Sequence, residues 1–350
     1  MAPITSDAER PKTEERRTYS DLPLRTGDPF ASAWGLFSDG DELGRLNLLT
    51  EDVVRDALLS ARSGQTISLN LSLEEPLVPM NPQRRACVHT YTHKGFSNDD
   101  DIALNTQASS HWDGLRHVGY GYLSRLPSQE AQYYGGVPQA VLNDTSKHTL
   151  GIDRVAQRGG IVARGILLDY AVWADQAGVH YSPFERHAIP LPHLLACAHQ
   201  QRIQFRCGDV LLIRTGWTSA YRALSAPEKE ELGLRRGEER THVGLEQHES
   251  TLRWLFDTGF SAVASDTVAL EAWPARPIRL ENGTPPRAEV QVCMHEVLLS
   301  GWGMLIGESW DLDRLAEACH QRRSYDFLLV SMPLSLPGGV ASPSNAVAVL

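Results

Sequence analysis

A twelve-residue segment in the first third of the chain concentrates side chains that can bind a metal ion. Residues 106–117 read TQASSHWDGLRH, with His111 and Asp113 two positions apart. Side chains at positions i and i+2 of an extended strand point to the same face, so this imidazole and this carboxylate are predicted to converge. Such ligands are typical of sites for Zn²⁺ and related divalent ions. The segment therefore predicts half of a metal site, with a structural His–Asp pair as the alternative.

Two further residues of the segment extend this prediction. His117 lies beyond the two predicted ligands, and an imidazole, whose ordinary pKa is near neutrality, is suited to proton transfer. Gln107 lies four residues before His111. Its amide oxygen is a weak neutral ligand for the ion, but the amide could equally form a hydrogen bond to a water at the ion. The sequence leaves this choice open.

The segment resembles the signature of the metal-dependent cyclase family, which includes bacterial kynurenine formamidases, isatin hydrolase and a dienelactone hydrolase. The family pattern is HxGTHxDxPxH. Its second histidine and its aspartate fall on His111 and Asp113, and its last histidine falls on His117. Its first histidine is replaced by Gln107 and its proline by Leu115. Because one imidazole ligand is lost, the resemblance implies a site for one ion more readily than for two.

Further segments extend the resemblance from residue 34 to the C-terminus. They are residues 34–50, 165–170, 208–217, 262–274, 295–308 and the closing sequence PLSLPGGVASPSNA. In the segment 295–308 the family places a histidine and a glutamate at the metal site. The resemblance thereby implies that His295 and Glu308 are the distant ligands. Without it, His295 could be a core histidine and Glu308 a helix cap.

Four aromatic residues beside these motifs are candidate walls of a substrate pocket: Trp112, Tyr120, Trp217 and Trp273. Aromatic walls would suit a flat or aromatic substrate. A position in the hydrophobic core would account for each of them equally well.

Composition narrows the class of protein and its partners. Of the 350 residues, 42% are hydrophobic and 22% are charged, as in ordinary soluble globular proteins. The net charge of −10 and the lack of a basic run argue against nucleic acid and membrane partners. Five scattered cysteines without a CxxC pair argue against a disulfide scaffold and a thiolate zinc site. With no apolar N-terminal segment, the sequence predicts a cytoplasmic protein that acts on a small molecule.

Helical and extended patterns alternate along the chain. Apolar periodicity predicts helices at residues 51–63, 190–201, 246–258 and 312–322. Similar reasoning predicts half-buried strands at 66–73 and 87–93 and inner or short strands at 161–169, 210–214, 262–265 and 327–332. This alternation predicts an α/β domain with a mixed β-sheet flanked by helices. Polar residues 1–25 are expected to form a disordered or wrapping arm before a catalytic domain at 26–350, and the charge-rich residues 225–241 are expected at the surface.

These patterns and the resemblance together predict a metal-dependent hydrolase. A divalent ion, Zn²⁺ first and Mn²⁺ second, would activate a water to attack an amide, lactone or related cyclic carbonyl, with His117 as general acid and base. The resemblance also implies a single swivelling β/β/α-type domain that forms a homo-oligomer, a dimer or tetramer. Two alternatives remain open. One is a cyclase or dehydratase acting on a natural-product intermediate; the other is a metal-free binding protein that kept the fold.

Overall fold

The structure of the protein is a computed structural model that describes residues 17–281 and 289–350. Its strands, in chain order, are β1 Thr66–Ser68, β2 Val88–His93, β3 Asn98–Ala103, β4 His111–Asp113, β5 Gln132–Tyr133, β6 Val137–Pro138, β7 Ile161–Asp169, β8 Ala188–Ile189, β9 Val210–Arg214, β10 Gly244–Leu245, β11 Ala262–Ser265, β12 Ile278–Arg279, β13 Glu289–Val290, β14 Leu305–Glu308, β15 Asp326–Ser331, β16 Ala341–Pro343 and β17 Ala346–Val349.

The helices surround these strands. The α-helices are α1 Glu51–Leu58, α2 Gln139–Asn143, α3 Asp153–Gln157, α4 Tyr170–Gln176, α5 Leu191–Gln200, α6 Trp217–Ala223, α7 Ala226–Leu234, α8 Glu249–Thr258 and α9 Asp313–Arg322. Short 3₁₀ helices occupy Tyr19–Asp21, Gly44–Leu48, Ser128–Glu130, Tyr134–Gly136 and Gly237–Glu239, and a π-helix spans Glu296–Gly301. No helix in the described ranges is both long enough and apolar enough to cross a membrane.

A nine-stranded mixed sheet runs through the described part of the chain in the order β1-β17-β15-β7-β9-β11-β14-β4-β16. The four strands β7, β9, β11 and β14 are parallel, and antiparallel strands continue the sheet on both sides. Those four strands are almost entirely buried and rich in Val, Ile and Leu, as strands covered on both faces require. The predicted α/β fold with a mixed sheet flanked by helices is thus confirmed.

Two hydrophobic cores cover the two faces of this sheet. Alternate residues of one strand belong to different cores: Leu212 packs in the first and Ile213 in the second. Helix α9 contributes apolar side chains to the first core, and α5 and α8 contribute to the second. On β4, Trp112 lies in the first core, so the flanking side chains of His111 and Asp113 point to the face of the second core.

Most predicted elements are present, with shifted ends. The strands predicted at 161–169 and 210–214 have those limits in the structure. The helix predicted at 51–63 ends at Leu58, and the one predicted from residue 246 begins at Glu249, because the His248 side chain accepts a hydrogen bond from the Ser250 N–H and caps it. The strand predicted at 87–93 is not half-buried: it pairs with β3 in a separate two-stranded ribbon whose residues are all exposed.

Two segments expected outside the core have different outcomes. The expected N-terminal arm falls mainly on residues 1–16, which lie outside the described residues; within its remainder, the buried ring of Tyr19 packs edge-on against Trp302. The charge-rich segment 225–241 contains α7 and is largely exposed. Its Arg240, however, turns inward and lines a cavity.

The register between β4 and β14 joins distant parts of the chain. His111 lies opposite Glu308, Trp112 opposite Gly307 and Asp113 opposite Ile306. Directly opposed residues of antiparallel strands have Cβ atoms roughly 5 Å apart on the same face. This pairing therefore brings the Glu308 carboxylate beside the His111 imidazole, although almost 200 residues separate them in sequence.

Gly307 provides a test of the packing behind this register. A Cβ at this position would lie 2.6 Å from the Ala264 Cβ and 2.9 Å from the nearest Trp310 atoms. We expect Gly307→Ala to lower the free energy of unfolding by roughly 1–3 kcal/mol, the usual range for overpacking. Urea denaturation measures this value. Adding Ala264→Gly should recover part of the loss, because it removes the nearest atom; strictly additive effects of the two changes would contradict the proposed contact.

Candidate metal centre

Three buried side chains on β4 and β14 converge on one point. His111 Nε2 lies 3.4 Å from Asp113 Oδ1 and 3.4 Å from Glu308 Oε2. One ligand atom from each of the three residues lies within 4.8 Å of the others. Metal–ligand distances for nitrogen and oxygen donors are about 2.0–2.2 Å. Two atoms that bind the same ion therefore lie at a separation similar to the distances between these three side chains. The three side chains therefore have the spacing of a mononuclear metal site.

The hydrogen bonding of this cluster fits the binding of a cation. His111 Nδ1 donates a hydrogen bond to the main-chain oxygen of Ser109 at 2.7 Å, which leaves the lone pair of Nε2 directed at the cluster. His111 Nε2 and Asp113 Oδ2 are both buried and have no hydrogen-bond partner among the described residues. Buried polar atoms without partners are unfavourable, and a divalent cation would satisfy both. The mixed nitrogen and oxygen donors, without thiolate, fit an exchangeable catalytic ion.

His295 adds a second imidazole to the cluster. Its Nε2 lies 2.9 Å from Glu308 Oε1 and 3.8 Å from Asp113 Oδ2. Behind the ring, the Glu271 Oε1 atom accepts hydrogen bonds from the His295 Nδ1 at 2.8 Å and from the His295 main-chain N–H at 3.0 Å. A carboxylate in this position fixes the tautomer of a ligating histidine and makes it a stronger donor. Glu271 was not among the predicted site residues, although an acidic residue in an apolar run indicates a buried carboxylate that needs a partner.

Gln107 connects the metal cluster to His117. Its Nε2 lies 2.5 Å from Asp113 Oδ1 and 3.1 Å from His117 Nε2. An amide N–H donates hydrogen bonds but offers no lone pair to a cation. The structure therefore places Gln107 as a hydrogen-bond donor and not as the oxygen ligand considered from the sequence. In this arrangement His117 Nε2 is the acceptor of the pair.

The carboxylates of the cluster stabilise positive charge. Burial by itself lowers the pKa of His111, but Asp113 and Glu308 outweigh burial and raise this pKa to about 9. Burial also opposes protonation of His295, yet hydrogen bonds to Glu271 and Glu308 raise its pKa well above the ordinary value. The carboxylates thus favour positive charge at both imidazoles, and a divalent ion would supply positive charge at the same place.

His117 has a different environment and lines a cavity. Burial lowers the pKa of His117 below its ordinary value, and Asp113, whose Oδ1 lies 3.8 Å away, offsets only part of this effect. Its side chain retains 22% exposure, because it forms part of the wall of a cavity of about 210 Å³. A neutral imidazole at the edge of a cavity can accept a proton from a molecule inside it.

The structure brings together all six residues assigned to metal binding or proton transfer: Gln107, His111, Asp113, His117, His295 and Glu308. The same cavity is also lined by Tyr122, Arg84 and Arg240. Arg84 and Arg240 were not among the predicted site residues. The two arginines could not be distinguished by sequence from ordinary surface arginines.

The four aromatic candidates are separated by the structure. Trp273 lines the cavity. Trp112 must point away from the metal cluster, because it alternates with two ligands on one strand; it packs edge-on against Trp310 with ring centroids 4.7 Å apart. Tyr120 donates a hydrogen bond to the main-chain oxygen of Phe30, and Trp217 stacks on a tyrosine. These three rings are core residues in the structure, so their assignment as walls of this cavity is corrected.

The chain belongs to the family described as "Putative cyclase", whose profile matches residues 65–272. Its fold is similar to the crystal structure of a novel cyclase, with 28% identity over 91% of this chain and 99% of that chain and a TM-score of 0.75. It is also similar to isatin hydrolase A from Ralstonia solanacearum, at 15% identity over 81% and 91% of the chains and a TM-score of 0.51. An isatin hydrolase bound to the product analogue thioisatinate is 15% identical over 86% and 99%, with a TM-score of 0.52. No curated protein matches the sequence.

We expect each chain to hold one tightly bound divalent ion. The described residues contain one cluster of metal-ligand spacing, and Gln107, at the position where the family pattern has its first histidine, donates its amide N–H to Asp113. Elemental analysis of protein dialysed after loading with Zn²⁺ measures the stoichiometry. Two tightly held ions per chain would contradict this expectation, as would none.

Asp113→Ala is expected to abolish metal retention while the fold is kept. The substitution removes a ligand oxygen, whereas the two large hydrophobic cores are untouched. Metal content and circular dichroism are measured together. Glu296→Gln is the matched control: Glu296 is equally buried, but it accepts main-chain N–H bonds from Gly121 and Cys293, away from the cluster. Full metal content in the Asp113 variant would exclude it as a ligand, and loss of the fold would give it a structural role.

Proposed function

We propose that the protein is a metal-dependent hydrolase that opens or cleaves an amide, lactone or related cyclic carbonyl. The observation that carries the proposal is the convergence of two unpartnered buried ligand atoms, His111 Nε2 and Asp113 Oδ2, beside a cavity that a neutral His117 lines. This is the arrangement needed to activate a water next to a proton acceptor. Membership of the cyclase family, and a fold shared with isatin hydrolases, support this class of reaction.

The ion would be held by His111, Asp113, Glu308 and His295. Donors of this type favour Zn²⁺ first and Mn²⁺ second, since two imidazoles accompany two carboxylates and no thiolate is present at the cluster. When bound, the ion supplies a Lewis acid that makes a water more acidic and polarises the carbonyl. The role of Glu271 is to hold His295 in the tautomer whose Nε2 faces the cluster.

His117 provides proton transfer in this proposal. The Gln107 amide donates toward His117 Nε2 and thereby favours the tautomer in which this nitrogen is unprotonated. Such a nitrogen can take the proton of the attacking water and return it to the leaving nitrogen or oxygen. The lowered pKa of His117 keeps it in this acceptor form at neutral pH. Trp273 and Tyr122 would form apolar parts of the wall against the substrate.

The family description favours one second candidate, a cyclase or dehydratase reaction. The same ion and the same imidazole could remove a proton during elimination of water. The mass of the product separates the two reactions, because hydrolysis adds a water to the substrate and dehydration removes one. A metal-free binding protein would show neither product, and it would not retain zinc after dialysis.

His117→Ala is expected to lower kcat by about 10²–10⁴, the usual contribution of general acid–base catalysis, while metal content is unchanged. Turnover would be measured with N-formyl anilines, isatin-like lactams and unsaturated lactones, together with elemental analysis. His320→Ala, at an exposed position on α9, is the control and should leave both values unchanged. Loss of the ion from the His117 variant would make His117 a ligand. Unchanged turnover would make it a bystander.

A further inference from the structure

Two arginines line the cavity without a carboxylate partner. Arg84 and Arg240 both contribute to its wall. Across the described ranges, 17–281 and 289–350, neither guanidinium forms an ion pair. Arg84 donates a hydrogen bond to the main-chain oxygen of Gln107 at 2.9 Å, and Arg276, outside the cavity, pairs with Glu238 at 3.0 Å. The two arginines of the cavity therefore differ from Arg276 in having no carboxylate partner among the described residues.

Arg240 is the more constrained of the two. Its guanidinium lies over the ring of Trp273, 4.9 Å from the ring centroid, and its Nε is buried without a hydrogen-bond partner in the described structure. Burial and then the charge of Arg84 lower the pKa of Arg240. Two partly buried cations that repel each other are unfavourable unless an anion joins them. Stacking on Trp273 fixes the plane of the guanidinium in advance, which reduces the entropy lost on binding an anion.

The carboxylates of the metal centre cannot serve as this anion. Glu271 is already engaged by His295, and Asp113 and Glu308 face the position of the ion. With a divalent ion bound, the positive charge of the ion and of both guanidiniums exceeds the negative charge of these three carboxylates. The loaded cavity is therefore left with an excess of positive charge next to the reaction site.

We propose that the substrate carries a carboxylate, which Arg240 and Arg84 bind while the reacting carbonyl lies at the metal centre. This inference rests on the proposed function and names the substrate class for that site. A guanidinium presents parallel N–H donors that match a carboxylate in a bidentate arrangement. A cavity of about 210 Å³ with Trp273 and Tyr122 in its wall has room for one substituted aromatic ring. The substrate class is thus a carboxylated aromatic amide, lactam or lactone.

Ligand binding tests this subsite without requiring turnover. One probe is benzoate, whose single carboxylate can bind at the metal centre or at the arginines but not at both. The others are the three benzenedicarboxylate isomers, in which the distance between the two carboxylates differs. Isothermal titration calorimetry would be done with zinc-loaded wild type, Arg240→Gln, and Arg276→Gln as a control that removes a nearby charge outside the cavity. Zinc content is measured after each titration, so that extraction of the ion is not counted as binding.

At least one dicarboxylate is expected to bind wild type about ten- to a hundredfold more tightly than benzoate, the range that a charge-assisted hydrogen-bonded pair provides. Arg240→Gln should lose this gain, so that the best dicarboxylate binds this variant about as tightly as benzoate does. Arg276→Gln should behave like wild type, and Arg240→Lys should retain only part of the gain, because it keeps the charge but not the fork of donors.

Two results would overturn the subsite. One is that no dicarboxylate binds wild type more tightly than benzoate; the other is that the gain of the dicarboxylate over benzoate persists in full in Arg240→Gln. Failure of the hydrolase proposal would look different. A dicarboxylate preference that depends on Arg240, in a protein with no hydrolytic activity, would support the subsite and reject the reaction. Hydrolysis of neutral substrates without any dicarboxylate preference would reject the subsite alone.

Discussion

The burial of carboxylates next to imidazoles is the constraint on which the site depends. Asp113, Glu271 and Glu308 are at most 2% exposed, and a carboxylate removed from water costs several kcal/mol unless positive charge compensates it. Protons on His111 and His295 can supply that charge, which is why both imidazoles have raised pKa values. A divalent ion would supply this positive charge at a single position between the ligands. Metal binding is therefore linked both to proton release and to the stability of this region.

The pairing of strands in the sheet determines where positive charge must compensate these carboxylates. The pairing of β4 with β14 sets Glu308 beside His111 and, on the opposite face, Trp112 beside Gly307. Because side chains alternate with a period of two, a slip of one residue would bury the ligands in the first core and turn Trp112 toward the cavity. The contact between Trp112 and Trp310 therefore helps to fix the orientation of the ligands on the other face, and the Trp310 indole N–H also donates a hydrogen bond to the main-chain oxygen of His111. Hydrophobic packing on one face specifies the polar site on the other.

The sequence predicts the part of this site that lies on one strand, but not the residues that distant segments contribute. Alternation along one strand is a local rule, and it correctly groups His111 with Asp113. The same rule turns Trp112 to the opposite face, so its assignment to the pocket could have been rejected from the sequence. Glu308 and His295 were placed only by family resemblance, because a strand register across almost 200 residues leaves no local pattern. Arg240 has no local sequence pattern either. The sequence of a charge-rich exposed segment is equally charged whether or not one of its arginines points inward.

Gln107 links the metal centre to the arginines. As an amide in place of an imidazole, it donates to Asp113 Oδ1 and faces His117 Nε2, so it takes up one ligand oxygen and orients the proton acceptor at once. Its main-chain oxygen accepts a hydrogen bond from Arg84 at 2.9 Å. Gln107, whose amide contacts His117, is thus hydrogen-bonded through its main chain to one of the two arginines of the cavity. If the substrate carries the proposed carboxylate, an anion that moves Arg84 would also move this link, which would couple recognition of substrate charge to the orientation of His117.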